Sequence, residues 1–421
     1  MPHLIDTAPT DWAYLSEGGA TIVFTYTGAP NPVFDGTVLR LRKGPLELDG
    51  DSRLHDRVLS SRTKVFASDE DLAAYYGLSP PPPPRPHSPE DPTVEFQREC
   101  IARLIPPAHL PNLAYLDATG PTTHVWLETL AAQCEPHRPP ERRRTDGIEI
   151  AEPTSVLATD LVGGEGIAVE IKPKWGFLPS PMYLSDHTRA VKTRTCRFCM
   201  HAHLKATKGE TVPRGYCPLD LYSGDESRVK QALSGLWDAW VESDGIVNSF
   251  RVFVRGKKIR PAEKSTIVGI ANDLADPKEA LISALLPVLM TTPVLRTLAH
   301  LQRTLDPLDI EGLAALHAQA DAPLGPEPTL DEYTAFVSAY LSGGASPADL
   351  RYHVLAYLLS ATFKDCSVIV RVPDGTATII DLDAKSVERV RKWHELDWEI
   401  ACAYALVPEG ERKMCVDVVG Q

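Results

Sequence analysis

The sequence predicts an α+β fold of two lobes, a small sheet-rich one over residues 1–158 and a larger mixed one over 159–421. Three observations carry this. Apolar, β-branched runs gather early in the chain. Helical spacing of three and four residues dominates later. At 421 residues, with 43% apolar and 24% charged composition, the chain is long enough for two cores and excludes disorder as its main state.

Residues 20–26 and 37–42 read as strands, joined by a loop containing Gly28, Pro30, Asn31, Pro32 and Gly36. In the second run Val38, Arg40 and Arg42 share one face, so the two arginines point away from the packed side. Residues 79–92 contain five consecutive prolines, Pro80 to Pro84, which favour an extended surface loop. Residues 137–144 mix Pro139 and Pro140 with Arg138, Arg142, Arg143 and Arg144, and a basic cluster in a proline-broken loop is expected to be solvated. Residues 166–171 form a further candidate strand, ended by Lys172-Pro173-Lys174; residues 231–241 and 295–305 read as helices with one buried face.

The stretch 346–383 carries the chemistry. Ser346-Pro347-Ala348-Asp349 predicts a helix start, with serine as cap and aspartate completing a capping box. Leu350, Val354, Leu355, Leu358 and Leu359 supply its apolar face, and it should end near Lys364-Asp365. Residues 366–372 and 376–382 then read as a hairpin around Pro373-Asp374-Gly375, closed by Asp381 and Asp383. Helix, aspartate, hairpin, aspartate is the order used by protein-kinase-like folds, where one carboxylate orients an attacking hydroxyl and another holds Mg²⁺ on nucleotide phosphates. The bland alternative is that Asp365 caps a turn and Asp381 ends a strand. Against it stand Glu17-Gly18-Gly19-Ala20, whose backbone amides would approach phosphates, and Arg40 on the next strand.

Aspartate and glutamate outnumber lysine and arginine 56 to 43, a formal net charge of -13, which disfavours nucleic-acid binding. Residues 170–214 reverse that field. They hold nine cations, among them Lys172, Lys174, Arg197 and Lys205, against three acids, and His187, His201 and His203 add donors. Pro173, Gly176, Pro179 and Pro181 imply irregular backbone, so these cations are expected to line an anion pocket, with a solvated basic loop as the alternative.

The eight cysteines are irregularly spaced, and reduced thiols are expected. Cys196-Arg197-Phe198-Cys199 lacks a second CxxC or HxxxH at the usual separation, so buried thiols are expected and zinc is not. The longest apolar run, 280–290, is interrupted by Ser283 and Pro287 and falls short of the roughly 20 residues that span a bilayer. No signal peptide is visible at the N-terminus, and an intracellular protein that binds no membrane is expected.

Glu170-Ile171-Lys172-Pro173-Lys174-Trp175-Gly176-Phe177-Leu178-Pro179 resembles the EIKPKxGFLP signature of the inositol-pentakisphosphate 2-kinase family. Residues 196–205 resemble its CRxCMHxxLK segment. Further matches are residues 216–224, 308–313, 361–367 around Lys364-Asp365-Cys366-Ser367, and Asp381-Leu382-Asp383-Ala384-Lys385. Several long motifs in the family's order are far more specific than one short pattern.

The resemblance implies an inositol polyphosphate kinase-like fold and ATP-dependent phosphorylation of the axial 2-hydroxyl of inositol 1,3,4,5,6-pentakisphosphate, giving inositol hexakisphosphate. It implies that Asp365 activates the hydroxyl, that Asp381 binds Mg²⁺, and that Lys172 reaches the transferred phosphate. Gly18, Gly19, Ala20, Thr21 and Arg40 would lie against ATP, with Asp160 near the adenine hinge. Substrate phosphates would be held by Arg142, Lys172, Lys174, Arg197, His201, Lys205, Arg251, Lys385 and Arg389. Five phosphates on one small ring need cations converging from several directions, which agrees with this set. A monomer in the nucleus, the cytoplasm or both is expected.

Thr21 stands where the family usually has Asn, Ala384-Lys385-Ser386 replaces the usual Leu-Lys-Pro, and Trp393 occupies a position where Tyr is common. A zinc-binding insertion of some members has no counterpart. The alternatives are an inositol polyphosphate kinase of different positional specificity, although the PxxxDxKxG segment of the multikinase group is not found, and a scaffold that holds an inositol phosphate without turnover.

Overall fold

The computed structural model describes residues 2–19, 21–45, 92–118, 120–150, 155–213, 215–272, 274–320, 323–343 and 349–418. Ala20, Pro80 to Pro84, Arg214 and Ser346-Pro347-Ala348, each given a place in the sequence reading, lie outside the described residues. The described chain is mixed α and β, with two antiparallel sheets. It groups into two compact units, one holding residues up to 45 and Leu113–Ala158, the other Pro92–Asn112 and Thr159 onward. The stretch 92–112, assigned by sequence to the first lobe, thus groups with the larger unit.

In the smaller unit β1 (Trp12–Glu17), β2 (Thr21–Tyr26) and β3 (Thr37–Pro45) pair as neighbours, followed in the sheet by β6 (Ser155–Thr159) and β4 (Leu113–Tyr115), while β5 (Asp146–Ile148) pairs with β3. Ile22 and Phe24 alternate inward on β2 and pack with Leu39, Leu41 and Trp12. Helix α1 (Pro121–Cys134) adds Trp126, Leu127 and Leu130 to that core. Arg138 corrects the expectation of a solvated basic loop. It is buried, and its guanidinium donates to Glu17 Oε2 at 3.0 Å and Asp146 Oδ1 at 2.7 Å, while Lys43 Nζ lies 3.2 Å from Glu17 Oε2 and 2.8 Å from Asp146 Oδ1. Two cations and two carboxylates therefore tie together β1, β3 and β5, and the end of β1 at Glu17 enters Gly18-Gly19 from an anchored position.

The larger unit is built on a sheet of order β11-β10-β7-β8-β9. These are β7 (Ile167–Ile171), β8 (Phe250–Val254), β9 (Lys257–Lys258), β10 (Ser367–Arg371) and β11 (Thr376–Ile380). Every residue of β7 is buried, as a central strand covered on both faces requires. Helices α2 (Asp186–Lys192), α3 (Arg197–Thr207), α4 (Glu226–Glu242), α5 (Pro277–Thr291), α6 (Val294–Thr304), α7 (Asp309–Ala320), α8 (Leu350–Asp365) and α9 (Arg389–Ala405) belong to this unit. Among the described residues no single helix is long and apolar enough to cross a membrane.

Helix α8 ends at Asp365 as its sequence predicts, but its cap is Asp349, whose side chain accepts from the Arg351 N–H at 2.9 Å. The hairpin turns where expected, and Gly375 adopts the left-handed φ of 60° that glycine tolerates without a Cβ penalty. After Lys172, whose N–H still donates to Ser249 O at 3.0 Å, the chain leaves the ladder and side chains satisfy the next carbonyls. Tyr216 donates to Pro173 O at 2.8 Å, and the Gln302 amide donates to Lys174 O at 3.0 Å and Phe363 O at 2.9 Å. Gln302 Oε1 in turn accepts from Gly176 N at 2.7 Å. A Cβ at Gly176 would sit 2.7 Å from the Tyr222 ring, which explains the glycine in this motif.

Gln302 is fully buried. Gln302→Leu strands the Gly176 N–H and removes one of the two donors that reach Lys174 O and Phe363 O, where the Tyr222 hydroxyl and the Cys366 thiol remain, and is expected to destabilise the protein by about 2 kcal/mol. The midpoint of urea unfolding measures this; an unchanged midpoint would remove Gln302 as the anchor of residues 173–176.

Candidate functional site

The strand-exit segment, helix α3, the end of α8 and the start of α9 surround one cavity of about 570 Å³ in the larger unit. Lys174, Arg197, Lys205, Lys364, Lys385 and Arg389 line it, with Asp365 the one carboxylate among its lining residues. Six cations against one acid define a site for a polyanion. The global charge of -13 conceals it.

Spacing explains the convergence. Arg197, His201 and Lys205 recur every four residues on α3 and so occupy one helix face. Lys172 and Lys174, separated by Pro173, leave β7 and divide between the two predicted aspartates: Lys172 Nζ lies 3.6 Å from Asp381 Oδ2, and Lys174 Nζ lies 3.8 Å from Asp365 Oδ1. Lys385 Nζ approaches the other Asp365 oxygen at 3.3 Å. Lys174 and Asp381 both have left-handed backbones, with φ of 64° and 61°. Non-glycine residues held there cost of order 1–3 kcal/mol each and cluster at functional sites.

The charges set protonation. Burial by itself would raise the Asp365 pKa, but Lys385, Lys174 and Lys172 outweigh it and hold the carboxyl below its ordinary value. Burial, followed by the neighbouring Arg197 and Lys205 charges, depresses His201 to about 4, so its imidazole is neutral near pH 7 and offers a single N–H donor. Lys174 is lowered chiefly by burial, with Asp365 opposing that change.

Of the residues singled out by sequence, Lys174, Arg197, His201, Lys205, Asp365, Lys385 and Arg389 meet at the cavity. Lys172 and Asp381 are not among its lining residues but pair with each other, Ser367 Oγ lies 3.4 Å from Asp381 Oδ2, and the Lys172 charge acts on Asp365 in the cavity. Arg251 does not line the cavity. It pairs across the β7–β8 ladder with Glu170, donating to Oε2 at 2.8 Å, while Ser367 Oγ donates to Glu170 Oε1 at 2.8 Å. The Asp160 carboxylate accepts from Val162 N and Gly163 N at 3.0 and 2.7 Å, closing its own turn. Gly18, Gly19, Thr21, Arg40 and Arg142 lie in the smaller unit, where Gly18 N donates to Thr21 O at 2.9 Å across the β1–β2 turn.

Sequence reasoning missed the aromatic wall. The Trp175 ring has Lys364 Nζ 4.0 Å and the Arg197 guanidinium 4.8 Å from its centroid, and Tyr357 and Trp393 complete that side. Trp175 fills the variable position of its motif, which is why no signal marked it.

Two groups of side chains have the composition of metal ligands among the described residues. Asp309, Glu311 and Asp397 converge, but the Lys192 ammonium sits among them, at 2.5, 2.9 and 2.7 Å. The thiols of Cys196, Cys199, Cys217 and Cys415 also converge, all within 4.8 Å of one another. The partner pair absent from the local sequence pattern is thus supplied by two distant cysteines, giving a donor set of the number and type that structural zinc takes.

A family model described as inositol-pentakisphosphate 2-kinase matches residues 14–399. An inositol-pentakisphosphate 2-kinase of Cryptococcus neoformans is 32% identical over 97% of this chain and 96% of its own length. One from Arabidopsis thaliana is 27% identical over 94% of this chain and 93% of its own. One from Danio rerio is 48% identical over 17% of this chain and 14% of its own.

A cavity lined by six cations binds a compact polyanion with affinity that falls steeply with ionic strength. Titration calorimetry with inositol hexakisphosphate as probe is expected to show at least about tenfold weaker binding when NaCl rises from roughly 0.05 to 0.2 M. Salt-independent affinity would contradict the electrostatic assignment.

Proposed function

Because the chain belongs to the inositol-pentakisphosphate 2-kinase family, we propose that it transfers the γ-phosphoryl group of ATP to the 2-hydroxyl of inositol 1,3,4,5,6-pentakisphosphate, giving inositol hexakisphosphate and ADP. The observation that carries this reading is the cavity itself, six cations converging on a space with a single carboxylate, Asp365, among its lining residues. A new P–O bond forms to the inositol oxygen as the bond to ADP breaks, and the hydroxyl proton passes to Asp365 and then to solvent.

The lowered pKa of Asp365 supports a positioning carboxylate that accepts the proton late, as expected where phosphoryl transfer rests on alignment and electrostatics. Lys174, Arg197, His201, Lys205, Lys385 and Arg389 hold substrate phosphates in this reading, and Lys172, between β7 and Asp381, meets the transferred phosphate. The Asp381 carboxylate is half exposed and offers hard oxygen ligands, so it fits Mg²⁺, which when bound neutralises charge on the nucleotide phosphates. Gly18, Gly19, Thr21 and Arg40 contact ATP in the same reading. Arg251, one of whose terminal nitrogens is engaged by Glu170, remains a substrate-phosphate ligand in the same reading. Action as a monomer inside the cell, in nucleus or cytoplasm, completes the proposal.

The four converging thiols favour a second element, a structural zinc held by Cys196, Cys199, Cys217 and Cys415. Zinc bound there would link the start of α3, which carries Arg197, His201 and Lys205, to the C-terminal segment.

Incubation with ATP, Mg²⁺ and inositol 1,3,4,5,6-pentakisphosphate, with NMR identification of the product, tests the activity; a product phosphorylated elsewhere, or none, overturns it. Asp365→Asn is expected to abolish transfer while leaving inositol phosphate binding largely intact. Lys205→Ala is expected to weaken inositol phosphate binding more than ATP binding by calorimetry. Native mass spectrometry is expected to find about one zinc per chain, lost in Cys415→Ser; a metal-free, fully folded wild type would sink the zinc assignment.

A further inference from the structure

Arg197 differs from the flexible lysines of the cavity because its guanidinium is held on two sides. Its Nε donates to Asp397 Oδ1 at 2.7 Å, and its Cζ lies 4.8 Å from the Trp175 ring centre. Among the described residues no protein acceptor takes a hydrogen bond from its two terminal nitrogens. A guanidinium whose Nε is engaged still presents the Nη1–Nη2 edge, which matches two phosphate oxygens.

Asp397 is only 2% exposed, and its second oxygen accepts from Lys192 Nζ at 2.7 Å. Lys192 spends its other two protons on Asp309 Oδ1 at 2.5 Å and Glu311 Oε1 at 2.9 Å. Glu311 is fixed in turn by Thr188 Oγ1 at 2.8 Å and Ser185 N at 3.1 Å. The chain of contacts runs from α2 and the start of α7, through Asp397 on α9, to Arg197 on α3.

Burying three carboxylates and the Lys192 ammonium carries a desolvation cost that apolar residues of the same volume would avoid. That expense is explained if the network fixes the direction of one guanidinium. Resting on the kinase reading above, we propose that Asp397, held by Lys192, is a positioning residue that fixes Arg197 for bidentate capture of one phosphate of the inositol substrate. Arg197 is then preorganised, and little side-chain entropy is lost when substrate binds.

Asp397→Asn keeps shape and removes charge. Steady-state kinetics are expected to show KM for inositol pentakisphosphate raised about tenfold, the scale of one charge-assisted hydrogen bond lost. The kcat and the KM for ATP should stay within about twofold, a split that general destabilisation would not produce. In a double-mutant cycle, Asp397→Asn should add nothing to Arg197→Ala; additive effects, or an unchanged KM in the single variant, would overturn the proposal. Should Asp397→Asn not fold, Asp397→Glu retains the charge beside Lys192 and displaces the Arg197 contact, and the same KM rise and the same cycle apply. Absence of turnover in the wild type would refute the kinase reading alone, since binding of inositol hexakisphosphate by calorimetry runs the same cycle without catalysis.

Discussion

Mutual repulsion among the six cavity cations is the constraint on which the larger unit depends. Like charges about 4 Å apart at an effective dielectric of about 20 repel by about 4 kcal/mol, so the arrangement survives without ligand only if carboxylates stand behind it. Asp306 takes Lys364 at 2.5 Å, Asp397 takes Arg197, and Asp365 faces both Lys174 and Lys385. The first two are buried and permanent. The Asp365 side chain is partly exposed, so it balances the lysines and remains free to meet a hydroxyl when phosphates displace it as their partner.

Backbone geometry answers to the same demand. Lys174 and Asp381 both adopt left-handed φ, and each presents a charged group at the end of a sheet strand. Around Lys174 the strain is held by Gln302, Tyr216 and Tyr222, all buried, each bonded to a carbonyl of residues 173–174. In the smaller unit the Arg138 cluster does comparable work for the segment leading into Gly18-Gly19, but there a buried set of ion pairs, not hydrogen bonds from neutral side chains, fixes where the strand ends.

Much of this was legible in the residues. The helix ending at Asp365 and the hairpin after it follow from period and spacing, whereas the shared helix face of Arg197, His201 and Lys205 went unread because the prolines and Gly176 before it imply irregular backbone. Arg138 was misjudged, and the Glu170 partner of Arg251 was unseen, because a cation in sequence carries no mark of whether an acid sits beneath it or across the ladder. Asp397 and Lys192 were invisible for the same reason. Their meaning lies in partners more than a hundred residues away.

By itself the sequence determined the local elements, the concentration of positive charge between residues 170 and 214, and the family, since these depend on residue type and near-neighbour order. Only the tertiary structure decided which cations face the cavity, which are neutralised in the interior, and that Cys217 and Cys415 join Cys196 and Cys199. The physical reason is that electrostatic energy depends on distance and burial, and both are set by packing between segments remote in the chain.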